Sequence, residues 1–247
     1  MIFILKLLAI PVLVFFYYNF FKKLMISFAS YLVKKKKIES RKCNLEELKS
    51  IIELVLIVVS HLVFCLSLAW FLKVPLFGLY ATYKLSISSV LFGLLLGVGQ
   101  MAFSATICFI LINILQAMLP KTVPSTPQEW VTQSRAGWVR HHFHAFKRLP
   151  LILAMGLISL QISAEETVFR VIVFDYLKKI SPVFSIVFST LLFTIIQSFL
   201  MPRKISSMFP IVGALIMGFS NSIIYMQFPN IYPLIIGHIA FFFFSMI

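Results

Sequence analysis

The sequence predicts an all-α, polytopic transmembrane helix bundle of about seven spans, with an interfacial segment ahead of the helix that carries most of the intramembrane charge. Three observations predict it. Of 247 residues, 60% are hydrophobic and only 12% charged, whereas a soluble domain is about a quarter charged. The mean hydropathy of +0.99 is spread along the whole chain rather than gathered in one anchor, which excludes a soluble enzyme with a single tail. The apolar runs are long and unbroken, unlike the alternating segments of about ten residues that build an outer-membrane barrel.

Each element can be argued in order, because a span needs roughly 20 apolar residues to cross about 30 Å of hydrocarbon. The first run, Ile2 to Phe21, ends at Lys22-Lys23 with no small-residue cleavage site behind it. It therefore reads as a retained span rather than a signal peptide. A basic linker follows, with Lys34 to Lys37, Arg41, Lys42 and Lys49, and then a second span from Ile51 to Leu72. After a loop around Val74 to Lys84, the stretch Leu85 to Leu119 is almost wholly apolar. At 1.5 Å per residue it would extend about 52 Å, so a tilted, protruding or bent helix is expected. Gly93 and Gly97 inside it have the GxxxG spacing that lets helices approach closely.

From Pro120 to Pro150 prolines give way to Trp130, Trp138, Arg135, Arg140, His141, His142, His144, Lys147 and Arg148, a mixture suited to the membrane interface. The histidines invite a metal reading, but the segment's carboxylate, Glu129, lies twelve residues before His141. Four further runs, Leu151 to Leu177, Val183 to Met201, Met208 to Gln227 and Ile231 to Ile247, complete the seven.

The net charge of +14 sits between the apolar runs. There it would meet lipid head groups and fix orientation, so membrane lipid is the expected partner and nucleic acid is not. With the amino terminus outside, sixteen basic loop residues fall on the cytoplasmic side against four, Lys73, Lys84, Lys178 and Lys179, on the other. A multi-pass protein of the cytoplasmic membrane with its carboxyl terminus inside is expected. Cys43, Cys65 and Cys108 have no ligand spacing and suggest neither disulfide nor zinc.

The informative residues are those that cost energy in lipid. Of eight acids, Glu165, Glu166 and Asp175 lie in or next to one predicted span together with Arg170. Facing lipid, the two glutamates and the arginine would oppose insertion by roughly 8–10 kcal/mol, so they must face protein or trapped water. Glu166 and Arg170, four apart, share a helix face and can neutralise each other. Glu165 lies about 100° round the helix and, without a donor from another helix, is the carboxyl group free to act as a general base. The alternative is a purely structural buried pair with Glu165 bonded to a neighbour. Gln197, four residues after Phe193, and His238 add polar groups on two later spans. Three helices each offering such a group point to a shared cavity.

These residues carry a resemblance. The stretch SAEETVFR, Ser163 to Arg170, resembles the EExxxR motif of the CAAX-protease and bacteriocin-processing family of intramembrane peptidases. LLFTIIQSF resembles the surroundings of its FxxxH motif, with Phe193 in place and Gln197 where histidine is expected. YPLIIGHIAFFF resembles its HxxxN or HxxxD motif, with His238 present and Phe242 in place of the amide or acid. Order and spacing agree over Leu151 to Ile247. The resemblance implies a peptidase-like core at 149–247, preceded by helices and a basic loop at 1–148. It implies hydrolysis of a peptide bond, with Glu165 activating water, Arg170 orienting Glu166, and His238 polarising the scissile carbonyl or its oxyanion.

Gln197 cannot take a proton near pH 7 and is a poor metal ligand, so neither metal nor other cofactor is expected. Phe242 offers no hydrogen bond, and His61, mid-span in the second helix, is a possible substitute. Two readings result: an active endopeptidase cleaving a peptide or protein near the membrane, and a catalytically impaired relative acting as a binding, immunity or assembly protein. A transporter fits less well, lacking Gly/Pro-broken helices in matching halves.

Overall fold

The structure, a computed structural model, describes residues 2–35, 45–119, 126, 129, 149–198 and 208–246. The basic linker at 36–44, nearly all of the proposed interfacial segment with its three histidines, and Arg203-Lys204 lie outside the described residues.

Among the described residues the chain is helical with no strand. Helix α1 runs continuously through Ile2–Phe15, π turns at Phe16–Phe21 and Lys22–Lys35. Then come α2 (Leu45–Leu72), the short α3 (Leu76–Thr82), α4 (Ile87–Met118), α5 (Leu151–Leu177, with π turns at Thr167–Phe174), α6 (Pro182–Ser198), α7 (Met208–Gln227) and α8 (Tyr232–Met246). Five of these are long and apolar enough to span a membrane, and α6 and α8 are shorter apolar helices. Together they account for the seven runs of the sequence. Lipid is the solvent their surfaces require: Ile4, Leu5, Leu8 and Val12 on α1 are 60–68% exposed, and such a stripe is tolerated only against hydrocarbon.

One boundary differs from the sequence expectation in a way that matters. Lys22 and Lys23 do not end the first helix; they lie inside it, and α1 continues to Lys35. The two part company by face. Lys23 is exposed and donates to Asn19 Oδ1 at 2.7 Å, whereas Lys22 points inward and is 2% exposed. A dilysine reads as a helix stop only if both side chains find solvent.

The helix ends follow local rules. α2 stops at Lys73, whose φ of 59° is left-handed. Val74 N donates to Ala69 O and Lys73 N to Trp70 O, the paired bonds of a Schellman turn, ahead of Pro75. α4 begins at Ser86, whose hydroxyl accepts from Ser89 N at 3.1 Å. Its 32 residues amount to about 48 Å of helix, longer than one crossing, as the uninterrupted apolar run predicts.

The GxxxG spacing seats α4 on α8. A Cβ at Gly93 would lie 2.7 Å from Pro233 O, and one at Gly97 would lie 2.8 Å from Ala240 Cβ and 3.0 Å from Phe241 N. Because the obstructing atoms are largely backbone, neither side can give way. Gly97→Leu should therefore cost roughly 1–3 kcal/mol in detergent unfolding. Gly99→Ala, with nothing within 4 Å of the added methyl, should be neutral or slightly stabilising.

Candidate active site

The adjacent glutamates of α5 meet different surroundings. Glu166 is fully buried and bonded from three helices. Its Oε2 accepts from Arg170 Nε at 3.3 Å on α5 and from Asn221 Nδ2 at 3.2 Å on α7, and its Oε1 pairs with His238 Nδ1 at 2.8 Å on α8. The i,i+4 spacing brings Arg170 to Glu166 as helix geometry predicts, although Arg170 falls in π turns that begin one residue after Glu166. π turns inside α-helices often mark functional positions.

Arg170 is likewise fully enclosed. Its Nη1 donates to Ser189 on α6 and Ser222 on α7, each at 3.1 Å, and its guanidinium lies 5.1 Å from the centre of the Phe193 ring. Phe193 also packs edge-on against Phe169 and His238, at 5.2 and 5.9 Å between ring centres. A further step behind, Gln100 on α4 donates to Asn221 Oδ1 at 2.7 Å, which fixes the amide so that its nitrogen faces Glu166.

Glu165 sits in the more open layer. It is 7% exposed and His238 8%, while Gln197 is half-buried. Gln197 from α6 and the charges of Lys22 and His238 bear on the Glu165 carboxyl group. A neighbouring helix thus offers Glu165 a polar partner, which is what the structural alternative requires. His238 differs too: its Nδ1 is committed to Glu166, so only Nε2 is left to meet a substrate. Phe242 packs in an apolar cluster with Leu54, Val58, Ile158 and Ile162. His61 bonds Tyr18 through Nε2 at 2.7 Å and rests against the rings of Tyr17 and Tyr18. Asp175 stands apart at the end of α5, with Lys178 at 2.6 Å and the Tyr225 hydroxyl at 3.1 Å.

Gln100, Ser189, Asn221 and Ser222 belong to the site but lie outside the sequence motifs. Asn221 had a readable signal, an amide in the middle of an apolar run. Ser189 and Ser222 had none, since serines are tolerated in spans by bonding their own helix.

A metal ion does not fit these donors. Gln197 replaces an imidazole, His238 Nδ1 is spent on Glu166, and among the described residues no three His, Cys, Asp or Glu side chains converge.

Removing Arg170 should be severe, because it leaves a buried carboxylate without its cation. Arg170→Met is expected to lose about 3–5 kcal/mol of stability, read as the denaturant midpoint in detergent. The double variant Arg170→Met with Glu166→Gln should recover much of it.

Residues 146–244 match the family model described as type II CAAX prenyl endopeptidase Rce1-like. No curated protein and no solved structure is matched. The matched stretch covers less than half of the chain and includes all three motif positions, α5, α6, α7 and most of α8. By that match, the part of this multi-pass membrane protein that holds Glu165, Glu166, Arg170, Gln197 and His238 is similar to the Rce1-like endopeptidases, in agreement with the resemblance of its motifs.

Proposed function

We propose that the protein is an intramembrane endopeptidase that hydrolyses a peptide bond of a membrane-proximal peptide or protein with water activated by Glu165. The observation that carries this reading is the division of labour between neighbouring glutamates. Both oxygens of Glu166 are engaged, by Arg170, Asn221 and His238, and Glu165 faces the more open layer beside Gln197 and His238.

In this reading Glu165 takes a proton from water as the water oxygen bonds to the scissile carbonyl carbon. The oxyanion that forms accepts a hydrogen bond from Gln197 Nε2 and, when His238 carries protons on both ring nitrogens, a second from its Nε2. Glu165 then returns the proton to the leaving amine as the carbon–nitrogen bond breaks. Glu166 acts through His238: by accepting from Nδ1 it fixes the ring and turns Nε2 toward the substrate, the part a buried carboxylate plays behind a reacting histidine. In the same reading residues 149–247 are the peptidase-like core and residues 1–148 amino-terminal transmembrane helices with a basic interfacial loop, the amino terminus lying outside and the carboxyl terminus inside the cytoplasmic membrane. Excluding the buried Lys22 still leaves fifteen cations between the apolar runs against four in favour of that orientation.

A second reading is favoured by a specific observation, the burial of Phe242 among apolar side chains where the resembling motif has an amide or acid. In that reading the same site binds a peptide or partner helix without cleaving it.

The experiment is cleavage of prenylated and leader-type peptides by the purified protein in detergent. Glu165→Ala should reduce the rate by about 10²–10⁴, the range of general-base catalysis, and leave peptide binding in place. Equal cleavage by both proteins would remove the endopeptidase reading. Binding without cleavage by the parent, together with cleavage gained on Gln197→His with Phe242→Asn, would establish the second.

A further inference from the structure

Gln100 reaches the site from outside the stretch that matches the family model. The buried face of α4 is otherwise made of small side chains, Ser89, Gly93, Gly97, Ser104 and Cys108, and Gln100 is the one long side chain among them. Its amide meets α7, where Nε2 donates to Ser220 Oγ at 2.6 Å and to Asn221 Oδ1 at 2.7 Å. Gln100 is 4% exposed, and its Oε1 has no hydrogen-bond partner among the described residues. An apolar side chain would serve helix packing without that cost. What the amide adds is its pair of donors.

The hydrogen bonds that run from Gln100 have a fixed sense. The Ser220 hydroxyl gives its proton to Ile216 O at 2.8 Å, so toward Gln100 it can only accept. Gln100 therefore presents its amino group on this side, and Asn221 meets it with Oδ1. That leaves Asn221 Nδ2 for Glu166 Oε2, on which Arg170 Nε also donates. With both of these donors on Oε2, Oε1 is the acceptor for His238 Nδ1 at 2.8 Å. Turning the Asn221 amide over would set oxygen against oxygen at Glu166 and nitrogen against nitrogen at Gln100, so each end of the chain holds the other. An N–H in such a chain is also polarised by the bond behind it, which strengthens what Asn221 gives to Glu166.

We propose that Gln100 is a positioning residue for the reaction: acting through Asn221 and Glu166, it fixes the sense of the hydrogen-bond chain that aligns the His238 imidazole, with a proton on Nδ1 and Nε2 toward the substrate. The consequence for rate rests on the endopeptidase reading, whereas the chain itself does not.

Two measurements keep these apart. The first needs no activity. In protein carrying isotope-labelled histidine, the magnetic resonance of the proton on His238 Nδ1, identified by its loss in His238→Gln, reports the bond to Glu166. Asn221→Leu takes a donor from Glu166, leaves more charge on Oε1 and should move this resonance downfield. Gln100→Met should move it the same way by a smaller amount. The two changes together should move it no further than Asn221→Leu alone, since Gln100 acts only through Asn221. Gln100→His, which keeps an N–H donor at nearly the same reach, should bring it back toward the parent. Ser104→Ala, on the same face of α4, should leave it in place, because the Ser104 hydroxyl touches only the Gln100 backbone carbonyl. Gln100→Leu and Asn221→Ala repeat the series should either first variant not fold. A resonance unmoved by loss of the Gln100 amide, or moved by the sum of the two changes, overturns the proposal.

The second measurement is peptide cleavage. Gln100→Met should lower kcat by roughly tenfold with little change in KM. Gln100→His should restore most of the loss, and Gln100→Met should cost nothing further in the Asn221→Leu protein, a pattern that damage to packing would not give. Cleavage undiminished in Gln100→Met, or losses that add in the double variant, defeats the proposal and leaves the endopeptidase reading standing. A parent that never cleaves, yet shows the coupled shifts, defeats that reading and leaves the chain from Gln100 to His238 standing.

Discussion

A carboxylate with no route to solvent organises this bundle. Glu166 and Arg170 are both fully buried, and neither could stay ionised in hydrocarbon without the other. Their mutual attraction is not enough by itself, since each ion also needs further partners, although Arg170 Nη2 stays buried without one. That requirement recruits Asn221 and Ser222 from α7, Ser189 from α6 and His238 from α8. Four helices are fixed around one ion pair, and the positions of His238 and Phe193 follow from it. In a membrane, where helix association gains nothing from the hydrophobic effect, such polar ties and close small-residue packing supply the specificity. The seating of α8 on Gly93 and Gly97 of α4 is the second half of that scheme, because it sets the depth at which His238 meets Glu166.

The same ion pair divides the interior into layers. Behind it lie groups with no exposure at all, tied to one another and to Gln100. In front lie Glu165, His238 and Gln197, each retaining some access. A polar group in the rear layer has its partners fixed, whereas one in the front layer can exchange a partner for water or substrate. Adjacent residues on one helix thus take different tasks, the 100° turn between them being the whole of the distinction. The proposed chemistry needs nothing more from the backbone.

The fold was largely legible because its two strongest signals are physical minima: the length of a bilayer crossing, and the cost of charge inside it. The run Met208 to Gln227 has the boundaries of α7, and the 35-residue run beginning at Leu85 contains the single long α4. Glu166 with Arg170 was legible from spacing alone. What could not be read was the direction of individual side chains on helices whose polar residues are few. Lys22 and Lys23 are identical in sequence terms, and only the packing of α1 on α2 and α5 decides that one is solvated and the other is not. The choice of His238 for Glu166 rather than Glu165 is equally invisible, since it depends on the register of α8 against α5. Serines at 189 and 222 carry no periodicity that would separate a bridging hydroxyl from one that bonds only its own helix.

The central claim, an accessible polar layer resting on a dry one, is tested most directly by thiol accessibility. In a protein whose native cysteines are replaced by alanine, Gln197→Cys should react readily with a small, water-soluble methanethiosulfonate, and Ser222→Cys, a change of one atom in the rear layer, should stay inert until the protein is denatured. A thiol at 197 as unreactive as one at 222 would show that water does not reach Glu165, and would contradict the account.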